Sequence, residues 1–195
     1  MIVEASTVIN NLPEVERLVR NLTEQSVLVG IPEQTAGRMK NPQGNKGVKP
    51  LTGTNIGDNN AAISYILNHG SPAAGIPPRP HLVPGIQAAI NLIVPILRSV
   101  GEAALRGQQQ AVDKGLHKVG LICQASVRRY MTTAQFVPLA EATLRARRRR
   151  GHKSTRPLIE FGRLRQAYTY ALEKKNVRTY TQPVEGGGEF SKLIK

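Results

Sequence analysis

Apolar positions along the chain switch between two rhythms, and the switches mark out the elements. Val15, Leu18, Val19 and Leu22 recur at i, i+3, i+4 and i+7, the spacing of a half-buried helix. Pro13 suits the opening of that helix, because its N–H is not needed there and its φ is already set. Glu14 and Glu16 complement the positive end of the helix dipole. The compact run Ser26-Val27-Leu28-Val29-Gly30-Ile31, closed by Pro32, predicts a strand.

A second helix is expected through Ala62, Tyr65, Ile66 and His69, with Asp58 as its N-cap and Gly70 as its left-handed stop. His69 falls on the apolar stripe and reads as a packed or capping histidine, since no second metal ligand lies at helical spacing. Pro84 opens a further helix with Ile86, Ala89, Ile90, Ile93 and Leu97 on one face. Pro95 removes a backbone hydrogen bond inside that run and is expected to kink or end it. Helix then resumes near Glu102 and continues to about Tyr130. Val112, Leu116, Val119, Cys123, Ser126, Val127 and Tyr130 line one face of it, and Gly101, Gly107, Gly115 and Gly120 weaken it locally. Cys123 on that face is a small core residue.

Another helix is expected from Pro138 through Leu144. Ala167, Thr169 and Ala171 alternate with Tyr168, Tyr170 and Leu172, which predicts a half-exposed strand. Arg178-Thr179-Tyr180-Thr181 supplies a hairpin partner. The elements add up to an α+β domain over residues 1–180: a small, largely antiparallel sheet packed against a long kinked helix. Residues 33–56 hold six of the glycines and prolines and almost no apolar residue, so they read as an extended basic loop. That loop, with Arg38, Lys40, Lys46 and Lys49, is either a tolerated insertion or an arm that orders against a neighbouring subunit or DNA. Residues 181–195, with Gly186-Gly187-Gly188, read as a flexible tail.

Charge changes this picture. There are 27 Lys and Arg against 13 Asp and Glu, a net charge of +14, which favours a polyanionic partner without favouring a fold. The basic residues are densest at Arg145, Arg147, Arg148, Arg149, Arg150, Lys153 and Arg156, a stretch with no acid. On a helix these charges point nearly all round, and neutralisation by phosphate would relieve their repulsion. No aromatic lies within the run, which favours duplex backbone over stacked single strands. An acidic surface on a partner ring and a merely solvated face are the alternatives.

Candidate chemistry is sparse. The acids are scattered, no phosphate-binding glycine loop is present, and the histidines at 69, 81, 117 and 152 have no metal spacing. Neither an enzyme nor a metal or cofactor site is expected. One cysteine excludes an internal disulfide framework. Met1-Ile2-Val3-Glu4 lacks the order of a signal peptide, and the apolar run from Ile86 to Leu97 is too short to span a bilayer, so a soluble protein with no membrane partner is expected.

Three segments, residues 27–31, 61–82 and 157–170, carry a resemblance. Ala61-Ala62-Ile63-Ser64-Tyr65-Ile66-Leu67-Asn68-His69-Gly70 ends in the "His/Phe-Gly" of a known helix stop. Gly75-Ile76-Pro77-Pro78-Arg79-Pro80-His81-Leu82 follows, close to "Ile-Pro-x-Arg-Pro-Phe-Leu". Pro157-Leu158, Phe161-Gly162-Arg163-Leu164 and Tyr168 to Tyr170 come later, and Val27-Leu28-Val29-Gly30-Ile31 comes earlier. In this order they resemble the head–tail connector and tail-completion proteins of long-tailed phages, the tail-component and virion-morphogenesis families. On that resemblance Gly70, Pro77, Arg79, Pro80, Leu82, Gly162 and Leu164 are structural motif residues. His81 stands where the family usually has Phe, a change read as conservative in shape. The long 33–56 insertion and the dense arginine run also depart from the family pattern.

The resemblance implies a neck component assembled in the host cytoplasm, six or twelve copies forming a ring between head and tail. Its neighbours would be the portal or adaptor on one side and tail-terminator or tail proteins on the other, with double-stranded DNA passing non-specifically through the lumen. The arginine run would face that DNA or an acidic neighbouring ring. A basic nucleic-acid-binding protein acting outside a virion is the alternative; it accounts for the charge but not for the proline-rich segment.

Overall fold

The computed structural model describes residues 12–32, 59–174, 177–181 and 191–193, with side chains in the first two ranges. Arg38, Lys40, Lys46, Lys49 and Asp58 lie outside the described residues. The chain order is α1 (Leu12–Thr23), β1 (Gln25–Gly30), α2 (Asn60–His69), a 3₁₀ turn (Pro72–Ala74), α3 (Leu82–Gln87), α4 (Ile90–Leu105), α5 (Gln109–Thr133), α6 (Glu141–Arg149), α7 (Arg163–Ala167), β2 (Thr169–Lys174), β3 (Val177–Thr181) and β4 (Ser191–Leu193). The α+β class expected from the sequence is the one observed. Four strands form one antiparallel sheet in the order β1-β2-β3-β4, packed on the long helix α5.

Helix α5 is the spine. Val112, Leu116, Val119, Cys123, Val127 and Met131 are all buried along one side, as an i, i+4, i+7 stripe requires. Antiparallel helix α4 covers one flank of this stripe and the sheet covers the other. Gly115 and Gly120 make both approaches possible. A Cβ at Gly115 would meet Val100 Cγ2 of α4 at 2.2 Å, and one at Gly120 would meet Tyr170 Cδ2 of β2 at 2.2 Å. These glycines are contact points that a side chain would close, rather than simple weak spots in the helix.

β1 and β2 pair from Gln25↔Lys174 to Gly30↔Thr169, which puts Val27 opposite Leu172 and Val29 opposite Tyr170 on the helix-facing side. The expectation of a half-exposed β2 fails: Thr169 and Ala171 on its other face are 3% and 4% exposed. β2 is an inner strand, paired with β1 on one side and β3 on the other. Residues 191–193, read as part of a free tail, pair with Thr179–Thr181 at the sheet edge instead.

The helical expectations shift in five places. α4 runs through Pro95 to Leu105, and the break falls at Arg106 to Gln108, where Gly107 has φ 69°. Pro95 and Asn91 are both exposed, so the Asn91 carbonyl that loses its helical donor lies at the solvated surface. Asn59 caps α2, its Oδ1 accepting from Ala61 N at 2.8 Å and from Ala62 N at 3.2 Å, in place of Asp58. α3 starts at Leu82 rather than Pro84, and α6 at Glu141 rather than Pro138. His69 is exposed, not packed on the stripe, with Nδ1 against the Tyr65 carbonyl at 3.0 Å.

Two apolar stripes stay uncovered. α1 lies against α4 and β1 but buries no residue; Leu12, Val15 and Val19 are at least 43% exposed. Ile90 and Leu97, expected on the buried face of α4, instead join Val94 and Leu105 on an outward i, i+4, i+7, i+15 stripe. Ala89, Ile93, Val100, Ala103 and Ala104 take the inward face.

Replacing Gly120 with Ala forces the Tyr170 ring off α5 and should lower stability by roughly 1–3 kcal/mol. Melting followed by circular dichroism should drop by about 2–4 °C for each kcal/mol lost. An unchanged midpoint would mean that the ring is free to move aside.

Candidate nucleic-acid interface

The arginine run does not act as a unit. α6 makes about two and a half turns of helix, and its inward face carries Leu144, Ala146 and Arg147. Arg147 is only 6% exposed, and its Nη1 donates to the carbonyls of Ser154 at 3.1 Å, Arg156 at 2.8 Å and Ile159 at 3.2 Å. It therefore holds the 152–160 loop closed, with buried Leu158 in the left-handed region at φ 63°. Burial lowers the Arg147 pKa, the Glu160 carboxylate opposes that, and Arg150 adds to it. The expectation that Arg147 faces DNA or a partner ring is overturned, because a guanidinium is an efficient clamp for converging carbonyls.

The other members divide. Arg148 pairs with Glu141 at 3.2 Å, Arg150 with Glu160 at 2.7 Å, and Arg156 Nη1 donates to the Thr132 carbonyl at 2.7 Å. Arg145, Arg149 and Lys153 are exposed. The charge that points nearly all round in sequence reduces to these three as outward candidates, with Arg148 and Arg150 half screened by their acids.

The three resemblance segments, far apart in sequence, converge. Leu158, Leu164 and Tyr168 share one cluster with Val127 and Met131, and Val29, Ile31, Ile63, Leu67 and Leu82 pack against it. Gly70 ends α2 at φ 81°, where a Cβ would lie 2.9 Å from the Ile76 carbonyl and from Pro78 N. The chain then folds back through a bridge between Ser71 and Ile76, and Arg79 N reaches the Leu67 carbonyl at 2.7 Å. Gly162 caps α7 at φ 74°. Pro80 is exposed, and Pro77 lines a cleft of about 290 Å³ between α2, α6 and the 158–164 loop.

Arg79, 4% exposed, donates from Nε to the Val137 carbonyl at 2.8 Å and from Nη2 to the Pro138 carbonyl at 2.9 Å. Its pKa is lowered by burial first and by the nearby Arg147 charge second. Arg79 and Arg147 thus do the same job on neighbouring loops. Both sit beneath the cleft with their guanidinium groups committed to main-chain oxygens.

His81 is fully buried and is a polar anchor, a role that a phenylalanine of similar shape could not fill. Its Nδ1 lies 2.8 Å from the Arg79 carbonyl, which can only accept, so Nδ1 carries the proton. Nε2 then accepts from the Tyr168 hydroxyl at 2.8 Å, and Ser64 Oγ donates to the Tyr168 oxygen. The His81 N–H donates to Asn68 Oδ1 at 3.1 Å. All polar ring atoms are satisfied with a neutral imidazole. Burial pushes its pKa down, against a smaller opposing effect of the Arg79 carbonyl, and pushes the Tyr168 hydroxyl up. Nothing in the local sequence signals this set, because Ser64, His81 and Tyr168 come from three separate parts of the chain.

Compared with models of protein families, with curated proteins and with solved structures, the chain matches none.

Arg147→Ser should cost roughly 2–4 kcal/mol by stranding three carbonyls, whereas Arg149→Ser should stay within about 0.5 kcal/mol. Urea midpoints measure both, and equal effects would contradict the division of roles. Stability should also fall on acidification from about pH 6.5. Below that the unfolded His81 takes a proton that the buried ring resists, so stability declines, by at most about 1.4 kcal/mol per pH unit. His81→Phe should be destabilised at pH 7.5 by about 1–3 kcal/mol, because the Arg79 carbonyl loses its buried donor and the Tyr168 hydroxyl keeps only Ser64. It should also lack this part of the acid-side decline; a parallel pH profile would remove His81 as its source.

Proposed function

We propose that the chain is a structural protein of the neck of a tailed-phage virion, working as an oligomeric ring that joins head to tail and lets DNA pass. The carrying observation is the pair of uncovered apolar stripes: Leu12, Val15 and Val19 on α1, and Ile90, Val94, Leu97 and Leu105 on α4. α1 lies against α4 on the protein's surface. Exposed apolar stripes of this kind mark a contact with another protein chain. In a ring, a neighbouring copy would cover it.

Two further observations support the reading. The motif segments that resemble connector and tail-completion proteins, far apart in the chain, meet around a single buried cluster. The net charge of +14 suits a wall around DNA. Exposed Arg145, Arg149 and Lys153 are the members of the arginine run available to DNA or to an acidic neighbouring ring.

The test is genetic. An early stop codon in this gene, in the genome that carries it, should leave filled or leaking heads beside separate finished tails under the electron microscope. Normal joined particles would sink the neck reading. The double substitution Val94→Asp with Leu97→Asp should give the same unjoined particles while leaving the melting temperature of the isolated chain within a few degrees, since both side chains are exposed.

A further inference from the structure

The structure assembles a second basic site that the sequence run does not contain. Between α5 and α7 lies a hollow of about 360 Å³ lined by Arg128, Arg129, Thr132, Thr133, Arg165 and Gln166. It has three guanidiniums, two hydroxyls and an amide, and no carboxylate. Arg156 reaches its rim through Thr132. None of these four arginines is in an ion pair with a described residue. Between Asp113 and Glu141 the chain has no acid at all.

The geometry holds the positive charge in place. Arg128 Nη2 is pinned by the carbonyls of Gln166 at 3.0 Å and Tyr168 at 2.7 Å, while its buried Nε has no partner. Arg165 Nη1 donates to Thr132 Oγ1 at 3.3 Å, and that hydroxyl donates in turn to the Arg128 carbonyl at 3.0 Å. The Arg128 and Arg165 charges repel each other, after burial the larger influence lowering the Arg128 pKa. Like charges fixed this close, beside two hydroxyls and with no acid, match a bound oxyanion.

More positive charge lies along the same helix. Lys114, Lys118 and Arg129 stand at i, i+4 and i+15 on the outward side of α5, all exposed. Exposed Leu121 and Ala125 fill the positions between them, so the face is cationic at its two ends and uncharged in the middle. Asp113, the acid nearest the lysines, is engaged by Gln109 Nε2 at 2.8 Å. From Lys118 to Arg129 the helix rises about 16 Å. A duplex presents phosphates on both sides of a major groove about 12 Å wide, so each cationic end can meet its own ridge. A single free phosphate explains the hollow but not the lysines. A polymer of phosphates explains both.

We propose that the outward face of α5, ending in the Arg128–Arg129–Arg165 hollow, is a binding site for the phosphodiester backbone of duplex DNA. It rests on the proposed function only in naming DNA as the source of the phosphates. Contact is through backbone charge, so it is independent of base sequence and weakens steeply with salt.

The experiment compares the full chain with two double variants, Arg129→Gln with Arg165→Gln and, as the rival basic surface, Arg145→Gln with Arg149→Gln. Fluorescence anisotropy with a 30-base-pair duplex, about three helical turns of DNA, is read from low to physiological salt. Arg129 is exposed and Arg165 half-buried, and a circular-dichroism melt checks that the fold is kept. The first pair should weaken binding at least about tenfold and make the slope of log K against log salt shallower by about 2, one unit for each phosphate no longer neutralised. Binding within about twofold of the unchanged chain, a difference under about 0.5 kcal/mol, would overturn the proposal, as would a larger effect in the Arg145–Arg149 pair. Inorganic phosphate separates the remaining source. If it raises the melting temperature of the unchanged chain but not of the first pair, while DNA affinity is equal in both, the hollow is a free-phosphate site and the DNA proposal fails. Because this readout uses isolated protein, its failure is distinct from that of the neck reading, which is decided by joined or unjoined particles.

Discussion

Tyr170 occupies the space that a side chain at residue 120 would fill, and the joining of sheet to helix depends on that occupancy. α5 is long enough to serve as a spine, but its buried stripe is wide and must be covered from two sides. Val100 of α4 closes over Gly115 on one flank and the Tyr170 ring closes over Gly120 on the other. His117, one turn before Gly120, meets the Tyr170 hydroxyl at 3.1 Å and so fixes the ring's outer end. Once Tyr170 is set, the β1–β2 register places Val29 opposite it and Val27 opposite Leu172, and the helix-facing side of the sheet follows.

Around this frame the loops are held by cations turned inward. Arg79 and Arg147 each gather main-chain carbonyls from a segment that has no regular structure to satisfy them. Buried carbonyls without partners are costly, and a guanidinium can serve several at once in one plane. The protein's large positive charge is thus partly structural. His81 meets the same demand with a neutral ring, accepting a hydrogen bond from Tyr168 and donating one to the Arg79 carbonyl. The proline-rich segment is therefore tied to the chain entering β2 by directional bonds as well as by packing.

The apolar and basic surfaces lie on different parts of the molecule. The uncovered stripes run along α1 and α4, while the outward face of α5 carries Lys114, Lys118 and Arg129 beside the arginine hollow. The proposed contacts with a second copy and with a polyanion therefore draw on separate elements, and a phosphate-facing wall could not also exclude water from an apolar contact.

The sequence by itself determined the helix and strand periods, the buried stripe of α5 and the α+β class, because these follow from local spacing of side chains along one element. Gly70 as a stop was legible for the same reason: its neighbours in the chain demand the left-handed turn. The sequence also marked where arginines are dense, but not what they do. Arg147 is buried and Arg149, two positions on, is exposed; only the path of the 152–160 loop separates them. Arg128 and Arg165 of the hollow stand far apart in the chain, and Ser64 and Tyr168 stand 104 positions apart. Their chemistry arises from distance in space, which no local pattern records and only the tertiary structure decided.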